Sequence, residues 1–207
     1  SLSALCNYLM EKGVLPSNSA LNSLKLFREA KKEIEVLTED EIQALYKAAD
    51  EYKPLRNEIN WRVALKIMLE AALRPAELLH LKWRDLVDLE EPDKALLLVR
   101  AKPEVDWKPK SHEERDIPLR ADTAREVLKW RESLPAEKAD PDAWVMAWSS
   151  KGYRLTDPRV SLDNIWERAG LKRDGIHMLR HTAAIRWVRL GLSVKEVSAL
   201  LGHADNP

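Results

Sequence analysis

The sequence is poor in the residues that build disulfide-rich or metal-binding proteins. Its 207 residues include a single cysteine, Cys6, so an internal disulfide framework is excluded and a cysteine-based metal site is not expected. Among its six glycines there is no P-loop and no Gly-x-Gly-x-x-Gly pattern that would cradle a nucleotide phosphate. These residues therefore signal no cofactor.

Long apolar runs are also absent. No stretch reaches the roughly 20 apolar residues that cross a bilayer as a helix. The chain begins Ser1-Leu2-Ser3, without the basic and apolar regions of a signal peptide. The single cysteine fits a reducing compartment. Together these features predict a cytoplasmic protein that does not enter a membrane.

An excess of charge of one sign is missing as well, because 34 basic residues balance 34 acidic ones. Binding to nucleic acid through net charge alone is therefore excluded, and any basic face must be local. The charges are segregated along the chain. Residues 151–189 hold nine Lys or Arg against four Asp or Glu, whereas residues 33–51 hold seven acidic residues and one lysine. This segregation favours an anionic partner for the C-terminal half, although a solvated helix face would show the same pattern.

Apolar spacing divides the chain into two parts. Residues 2–12 and 20–30 have short helical patterns, and residues 1–36 are too few to bury a core of their own. At Thr38 a capping box opens a helix that should run to about Glu51. We therefore place a domain boundary here, with residues 1–36 as the remnant of an N-terminal module and linker, and residues 37–207 as the main domain.

A second helical pattern covers Trp61–Leu73 and runs into Pro75, which suits the first turn of a further short helix. Because a residue before proline avoids helical backbone, Arg74 should lie at a corner between two helices. An arginine there is suited to bind an anion. It could equally cap the helix or pair with Glu77.

The middle of the chain predicts a small antiparallel sheet. Ala95–Arg100 has the composition of a strand, and Arg115–Leu119 that of its hairpin partner. The long connection between them carries Lys102, Lys108 and Lys110, and a lysine on a mobile hairpin can reach a ligand phosphate. Further helices are predicted at 121–134, 162–169 and 193–202, with a short apolar element at 144–148. The fold class is therefore α+β, mainly helical with a small antiparallel sheet.

The segment from Ile176 to Thr182 contains the most suggestive polar pair. His177 and Arg180 lie three residues apart, so on a helix they share one face. A guanidinium offers a rigid donor fork for phosphate oxygens, and a neighbouring imidazole can transfer a proton. Taken alone, such a pair is more often ordinary surface chemistry. Other segments of the chain strengthen the functional interpretation.

Four segments in order resemble the motifs of the tyrosine recombinases, the phage-integrase family. Residues 73–85 (LRPAELLHLKWRD) resemble the segment that carries the family's first catalytic arginine, and residues 177–182 (HMLRHT) resemble its H-x-L-R-H-T box. Residues 201–203 (LGH) resemble its L-G-H box. Lys110 stands eight positions before Pro118, as the family's hairpin lysine does. The resemblance covers about residue 37 to the end, and four ordered motifs are far more specific than one.

The resemblance implies a role for each matching residue. Arg74 and Arg180 would clamp the non-bridging oxygens of the scissile phosphate, and Lys110 would protonate the leaving 5′ oxygen. His177 would assist proton transfer at the nucleophile, and His203 would donate a hydrogen bond to the phosphate. No metal is implied, because these cations supply what Mg²⁺ supplies in other phosphoryl-transfer enzymes.

Two acidic residues extend this assignment, and three departures from the family pattern bear on it. Glu77 and Asp85 are candidate supports of the catalytic side chains. Ala72 stands where the family commonly has glycine. The hairpin has Ser111-His112 where glycine is frequent, which leaves Lys108 as an alternative to Lys110. The family's nucleophilic tyrosine follows the L-G-H box, whereas the tyrosines of this sequence all precede it.

The implied function is site-specific DNA recombination or integration through a 3′-phosphotyrosyl intermediate. Its partner would be double-stranded DNA, on which the full-length protein would assemble as a tetramer in a prokaryotic or phage-like, nucleoid-associated setting. Since the sequence given contains no tyrosine after the L-G-H box, we expect residues 1–207 alone not to cleave DNA.

A different class of function stays open at this stage. Residues 192–202 resemble part of a helix-turn-helix unit, which would suit a non-catalytic DNA-binding regulator. A type IB topoisomerase shares the chemistry, but the spacing of the motifs favours a recombinase.

Overall fold

A computed structural model describes residues 36–53, 59–110, 113–147, 155–171 and 175–202, and for Ile176 the backbone alone. All of these residues belong to one compact unit, Glu35–Pro207. The predicted helices at 2–12 and 20–30 lie outside the described residues, as does Trp148. No helix in the described part of the chain is long and apolar enough to cross a membrane.

Along the chain, the described residues form helices before and after a small sheet. The α-helices are α1 (Glu39–Glu51), α2 (Trp61–Ala71), α3 (Pro75–Leu79), α4 (Ala121–Glu132), α5 (Ala136–Ala139), α6 (Arg159–Arg168), α7 (Gly175–Arg189) and α8 (Val194–Leu201). The strands are β1 (Leu86–Val87), β2 (Leu96–Val99) and β3 (Arg115–Pro118), and 3₁₀ turns lie at Trp83–Asp85 and Pro103–Val105. The predicted fold class, mainly helical with a small antiparallel sheet, is confirmed.

Helix α1 begins as its sequence predicts. The Thr38 hydroxyl accepts a hydrogen bond from the Glu41 backbone, and the Glu41 carboxylate accepts one from the Thr38 backbone at 2.8 Å. One residue earlier, the Leu37 N–H donates to the hydroxyl of Thr182 on α7 at 2.9 Å. Thr182 is buried. It therefore ties the entry of α1 to the helix that carries His177 and Arg180.

Helix α2 lies at the centre of the core, and nearly all of its residues are buried. It packs against α1, α4 and α7. Its one deeply buried lysine, Lys66, donates to Glu126 on α4 at 2.5 Å, which compensates the charge. The helix ends at Ala71 rather than at the predicted Leu73, because Ala72 adopts left-handed backbone with φ 48°.

The three strands form one antiparallel sheet in the order β1-β2-β3. In the β2–β3 pair, Leu97 lies opposite Ile117 and Val99 opposite Arg115. The predicted hairpin is thereby confirmed. Strand β1 was not predicted, since two residues are too short to show a period.

Three glycines lie where the C-terminal helices begin or end. Gly175 begins α7 against the ring of Trp166, where a Cβ would come within 2.8 Å of ring atoms. Gly191 turns the chain after α7 with φ 96°, and Ser193 caps α8 through a second capping box, as predicted. Gly202 ends α8 in left-handed backbone.

Candidate active site

The corner between α2 and α3 carries Arg74. The residue has extended backbone, as expected before Pro75, which occupies the first turn of α3. Its N–H donates to Glu77 Oε2 at 2.8 Å, and its Nη1 donates to Glu77 Oε1 at 2.9 Å. The two other roles expected for Arg74 are therefore both observed: it is the N-cap residue of α3, and its side chain pairs with Glu77. With 23% of its side chain exposed, it still faces solvent.

Glu77 is shared with a second arginine that sequence reasoning missed. Arg115 on β3 donates to Glu77 through Nη2 at 2.7 Å and through Nη1 at 3.1 Å. Both side chains are almost completely buried, with 6% and 2% exposed. One signal could have revealed Arg115: it shares a strand face with Ile117, a core residue, so a charge at that position had to be buried and paired.

Three arginines converge on the C-terminal end of α8. Arg115 Nε donates to the Leu200 carbonyl at 2.8 Å, and Arg74 Nη2 donates to the Gly202 carbonyl at 3.1 Å. Between them, Arg180 donates to the carbonyl of Leu201, while its other terminal nitrogen donates to the carbonyl of Ala72. The last carbonyls of a helix have no partner within the helix and carry its negative end, so cations are favoured here.

The positive charge of this cluster is only partly neutralised. Burial raises the pKa of Glu77, but hydrogen bonds and charge from Arg115 and Arg74 outweigh burial and hold that pKa below its ordinary value. One carboxylate therefore faces three guanidinium groups. Burial, together with the charge of Arg74, lowers the pKa of Arg180 to about 10. Arg180 thus stays protonated at neutral pH in a place that disfavours its charge, and a bound anion would relieve that cost.

The remaining predicted site residues are exposed or lie outside the described residues. His177 is exposed one turn before Arg180 on α7, and it lines an open groove of about 560 Å³ with Pro75. Lys110 and Lys108 are both exposed on the connection between β2 and β3. His203 lies outside the described residues, immediately after the Gly202 carbonyl that Arg74 contacts.

Asp85 lies apart from the arginines. Its carboxylate accepts a hydrogen bond from the Lys82 backbone at 2.8 Å and pairs with the Lys102 ammonium at 3.1 Å. A cavity of about 10 Å³, enough for one water, lies between Asp85 and Glu77. Lys102 is 1% exposed, so it is not one of the mobile hairpin lysines that the sequence suggested.

Two of the tyrosines are described, and both have structural contacts. Tyr46 is buried, and burial raises the pKa of its hydroxyl to about 12. Tyr52 donates from its hydroxyl to Ser161 at 3.3 Å. Tyr8 and Tyr153 lie outside the described residues. Within the described ranges, no group of three or more His, Cys, Asp or Glu side chains is arranged to hold a metal ion.

The fold and the arginine cluster define a mainly helical α+β domain whose helix corner, hairpin strand and C-terminal helix meet at one anion-attracting site. The family model described as "Phage integrase family" matches residues 35–206. The chain belongs to the phage integrase family.

Curated relatives agree with this assignment. A tyrosine recombinase of Thermosipho africanus is 28% identical over 211 residues, which cover 99% of this chain and 65% of the relative. The tyrosine recombinase XerD of Brucella suis is 33% identical over 148 residues, covering 68% of this chain and 43% of the relative. The chain thus spans between about two fifths and two thirds of the length of these relatives.

Solved structures share the fold. XerA recombinase matches with a TM-score of 0.63 and 24% identity, covering 86% of this chain and 58% of that one. A lambda integrase (75-356) dimer bound to a COC′ core site matches with a TM-score of 0.65 and 21% identity, covering 99% of this chain and 69% of that one. The predicted likeness to a tyrosine-recombinase catalytic domain is confirmed.

Proposed function

We propose that this protein carries out site-specific DNA recombination, breaking and rejoining strands through a 3′-phosphotyrosyl intermediate. The observation that carries the proposal is the placement of Arg74 and Arg180 on adjacent carbonyls at the end of α8, with one carboxylate against three guanidinium groups. Such a site has donor forks and unneutralised positive charge, which is what a phosphodiester requires as negative charge grows on its oxygens.

Double-stranded DNA is the partner we infer. The relatives that match are named tyrosine recombinases, and one solved neighbour is XerH bound to a palindromic difH substrate, with a TM-score of 0.61. Assembly into a tetramer on DNA, and a cytoplasmic, nucleoid-associated location, are further parts of the proposal. They rest on the family resemblance.

Each side chain would act from the position described above. Arg74 and Arg180 would bind the two non-bridging oxygens of the scissile phosphate, with Glu77 holding Arg74 at its corner. His177 would assist proton transfer at the attacking tyrosine of the family. His203, directly after the carbonyl that Arg74 fixes, would donate to the same phosphate.

The leaving group needs a proton from a different direction. The tyrosyl oxygen forms a bond to phosphorus while the bond from phosphorus to O5′ breaks, and O5′ must be protonated as it leaves. Lys110 on the hairpin is our candidate for this proton, with Lys108 as the alternative. Both lysines are exposed.

The alternative of a non-catalytic regulator receives no support from the relatives, which are recombinases. Helix α8 also differs from a helix that only reads DNA. Its final carbonyls are occupied by Arg115, Arg180 and Arg74, so the helix is built into the arginine site.

Crosslink mapping on duplex DNA tests the proposal against that alternative. Photoreactive residues would replace Arg125 on α4, Lys110 on the hairpin, His177 on α7 and Lys195 on α8, all exposed positions. A recombinase domain should crosslink from Lys110 and His177, the exposed residues to which the family resemblance assigns proton transfer at the scissile phosphate. Crosslinks confined to Lys195 would instead support a helix-turn-helix reader and contradict the proposal.

Activity is tested with a nicked suicide substrate, which traps a covalent intermediate. Because the target sequence is not known, the bound sites would first be selected from random duplexes. The protein used should include whatever residues the gene encodes beyond Pro207. A covalent adduct that is lost in Arg74→Ala and Arg180→Ala, and kept in the surface variant Arg125→Ala, is the expected result.

A further inference from the structure

The connection between β2 and β3 is closed at its base into a small loop, residues 102–107. The Lys102 N–H donates to the Trp107 carbonyl at 2.8 Å, and the Trp107 N–H donates back to the Lys102 carbonyl at 3.1 Å. A 3₁₀ turn at Pro103–Val105 and left-handed backbone at Asp106 complete the loop. Only residues 108–113 therefore remain between this loop and Glu114, whose carboxylate accepts from the Ala101 N–H at 2.9 Å.

A buried ion pair fixes the first residue of the loop. The ammonium of Lys102 lies 3.1 Å from the Asp85 carboxylate, with 2% and 5% of the two side chains exposed. It also donates to the Arg100 carbonyl at 3.0 Å. A lysine so deeply buried and so fully bonded cannot swing toward a ligand, so its role is to hold the backbone in place.

A ring stack fixes the last residue of the loop. The rings of Trp107 and His80 are parallel within 4°, with centroids 4.3 Å apart. The rings of Trp144 and His80 meet edge-to-face, with centroids 6.1 Å apart, and His80 Nδ1 lies 2.6 Å from the Ala76 carbonyl. His80 is 8% exposed. Trp107 is therefore held by a ring that is itself immobilised by α3.

A third contact lies at the surface of the loop. Glu104 accepts from Lys82 at 2.7 Å and from Arg84 at 3.3 Å. Because Glu104 is exposed, this contact adds less than the other two. Apart from the Arg100 carbonyl, the partners of the loop named above come from one segment, residues 80–85, which directly follows α3. That helix begins at the corner of Arg74 and carries Glu77.

We propose that loop 102–107 is a positioning device that fixes the lysine arm, residues 108–110, to the same rigid body as Arg74. Trp107 is its key positioning residue, and Lys110 stands three residues beyond it. The inference rests on the proposed function in taking the hairpin lysine as the proton donor to O5′. It goes further in assigning to Lys102, Asp85, His80 and Trp107 the task of delivering that lysine to the phosphate held by Arg74.

Chain statistics give the size of the effect. With the loop closed, Lys110 is three residues from a fixed point. With the loop open, it would be ten residues from Arg100, the neighbour of β2, while Glu114 still anchors the chain four residues beyond Lys110. For a tether held at both ends, the effective length is the product of the two segment lengths divided by their sum. Since the effective concentration of a tethered group falls roughly as the 3/2 power of that length, opening the loop should dilute the ammonium about twofold at the phosphate.

The arm can be measured without any catalytic activity. In a Cys6→Ser background, spin labels on Lys110→Cys and on Arg125→Cys of α4 report the distribution of distances between the arm and the body. Trp107→Ala should broaden that distribution by roughly a third, because the spread of a flexible tether held at both ends grows as the square root of its effective length. Val105→Ala, exposed in the same loop, is the matched control and should leave it unchanged.

An unchanged distribution in a folded Trp107→Ala protein would overturn the proposal. If Trp107→Ala does not fold, His80→Leu removes the same stack from the other side and should broaden the distribution equally. Thermal melting of each variant separates a general loss of stability, which would affect the body, from a specific release of the arm.

The second experiment uses the adduct-forming protein and a substrate in which sulfur replaces the bridging O5′. A thiolate leaves without a proton, so the reaction no longer needs the lysine. Trp107→Ala should cleave the oxygen substrate about twofold more slowly than wild type and the sulfur substrate at the wild-type rate. Equal slowing on both substrates would show a merely structural role.

The two experiments test different parts of the argument, so one can fail without the other. If sulfur rescues Lys108→Ala and not Lys110→Ala, the assignment of the proton donor is wrong, whereas the positioning device stands and serves Lys108. If the spin-label distributions do not respond to the loop variants, the positioning device is wrong even if cleavage and its dependence on Lys110 are established.

Discussion

The guanidinium of Arg115 lies 2.7 Å from the carboxylate of Glu77, and both groups are buried beneath the exposed edge of Arg74. This pair joins strand β3 to the first turn of α3. Since Glu77 also binds Arg74 through its backbone and side chain, the position of Arg74 depends on a residue that does not itself face solvent. The buried pair of Arg115 and Glu77 thus helps to set the position of Arg74 in the site.

The first prediction concerns Arg115. Arg115→Ala leaves the Glu77 carboxylate buried with one partner fewer, and should lower the free energy of unfolding by about 3 kcal/mol. Arg100→Ala, one strand away and one third exposed, removes a surface pair with Asp116 and should cost less than about 1 kcal/mol. Urea unfolding of the two variants measures both values. Similar losses would show that the Glu77–Arg115 pair is not a special constraint.

The sequence predicted the residues that respond to local rules. The capping boxes at Thr38 and Ser193 and the corner at Arg74 follow from spacing within a few residues, and each strand of the β2–β3 hairpin follows from its own composition. It did not predict Arg115 as part of the site, because the pairing with Glu77 joins residues 38 positions apart. The convergence of three arginines on the carbonyls of α8 could not be predicted either, since carbonyls have no signature in the sequence.

The backbone of Ala72 shows the physical consequence of one departure from the family pattern. Ala72 has φ 48° and is completely buried. Left-handed backbone costs a non-glycine residue about 1 kcal/mol or more. This conformation gives a reason for the glycine that the family commonly has there. The corner nevertheless accepts alanine, whose methyl group packs against Ala183 and Leu201 in a small second core.

The second prediction compares two adjacent alanines. Ala71→Gly, within α2 and fully buried, should cost about 2 kcal/mol through lost helix propensity and lost methyl burial. Ala72→Gly loses a similar methyl group but relieves the left-handed strain, so its cost should stay below about 1 kcal/mol. Thermal unfolding monitored by circular dichroism gives the comparison. Equal costs would mean that Ala72 is not strained.

The third prediction concerns acid pH. The pKa of Glu77 is lowered from its ordinary value of 4.5 because its bonds to the arginines outweigh burial. A carboxyl whose folded pKa is depressed contributes stability above its unfolded pKa and loses it as pH falls through the folded value. Wild type should therefore lose stability below about pH 4.5, and Glu77→Gln should show a flatter acid limb.

The control for this titration is Glu137→Gln, an exposed position on α5. It should retain the wild-type acid limb. Urea unfolding at a series of pH values between 3 and 6 provides the measurement. If the Glu77→Gln profile parallels wild type through this range, the carboxylate of Glu77 is not the group whose protonation weakens the fold.

The last prediction tests the arginine site with the simplest anion. Arg180 is partly buried, its pKa is lowered to about 10 by burial and by Arg74, and one carboxylate faces the three guanidinium groups. Inorganic phosphate should therefore bind and stabilise the protein, by about 1.4 kcal/mol at ten times its dissociation constant. For a domain of this size that corresponds to a rise in melting temperature of roughly 3 to 5 °C.

Three variants separate the donor fork of Arg180 from general positive charge. Arg180→Ala should abolish the phosphate-dependent shift, and Arg180→Lys should retain only part of it, because an ammonium is a point charge without the planar fork. Arg186→Ala removes an arginine from the same helix, which pairs with Glu39 away from the cluster, and should respond like wild type. A full shift in Arg180→Ala would mean that Arg180 serves only to tie Ala72 to Leu201, and that phosphate binds elsewhere.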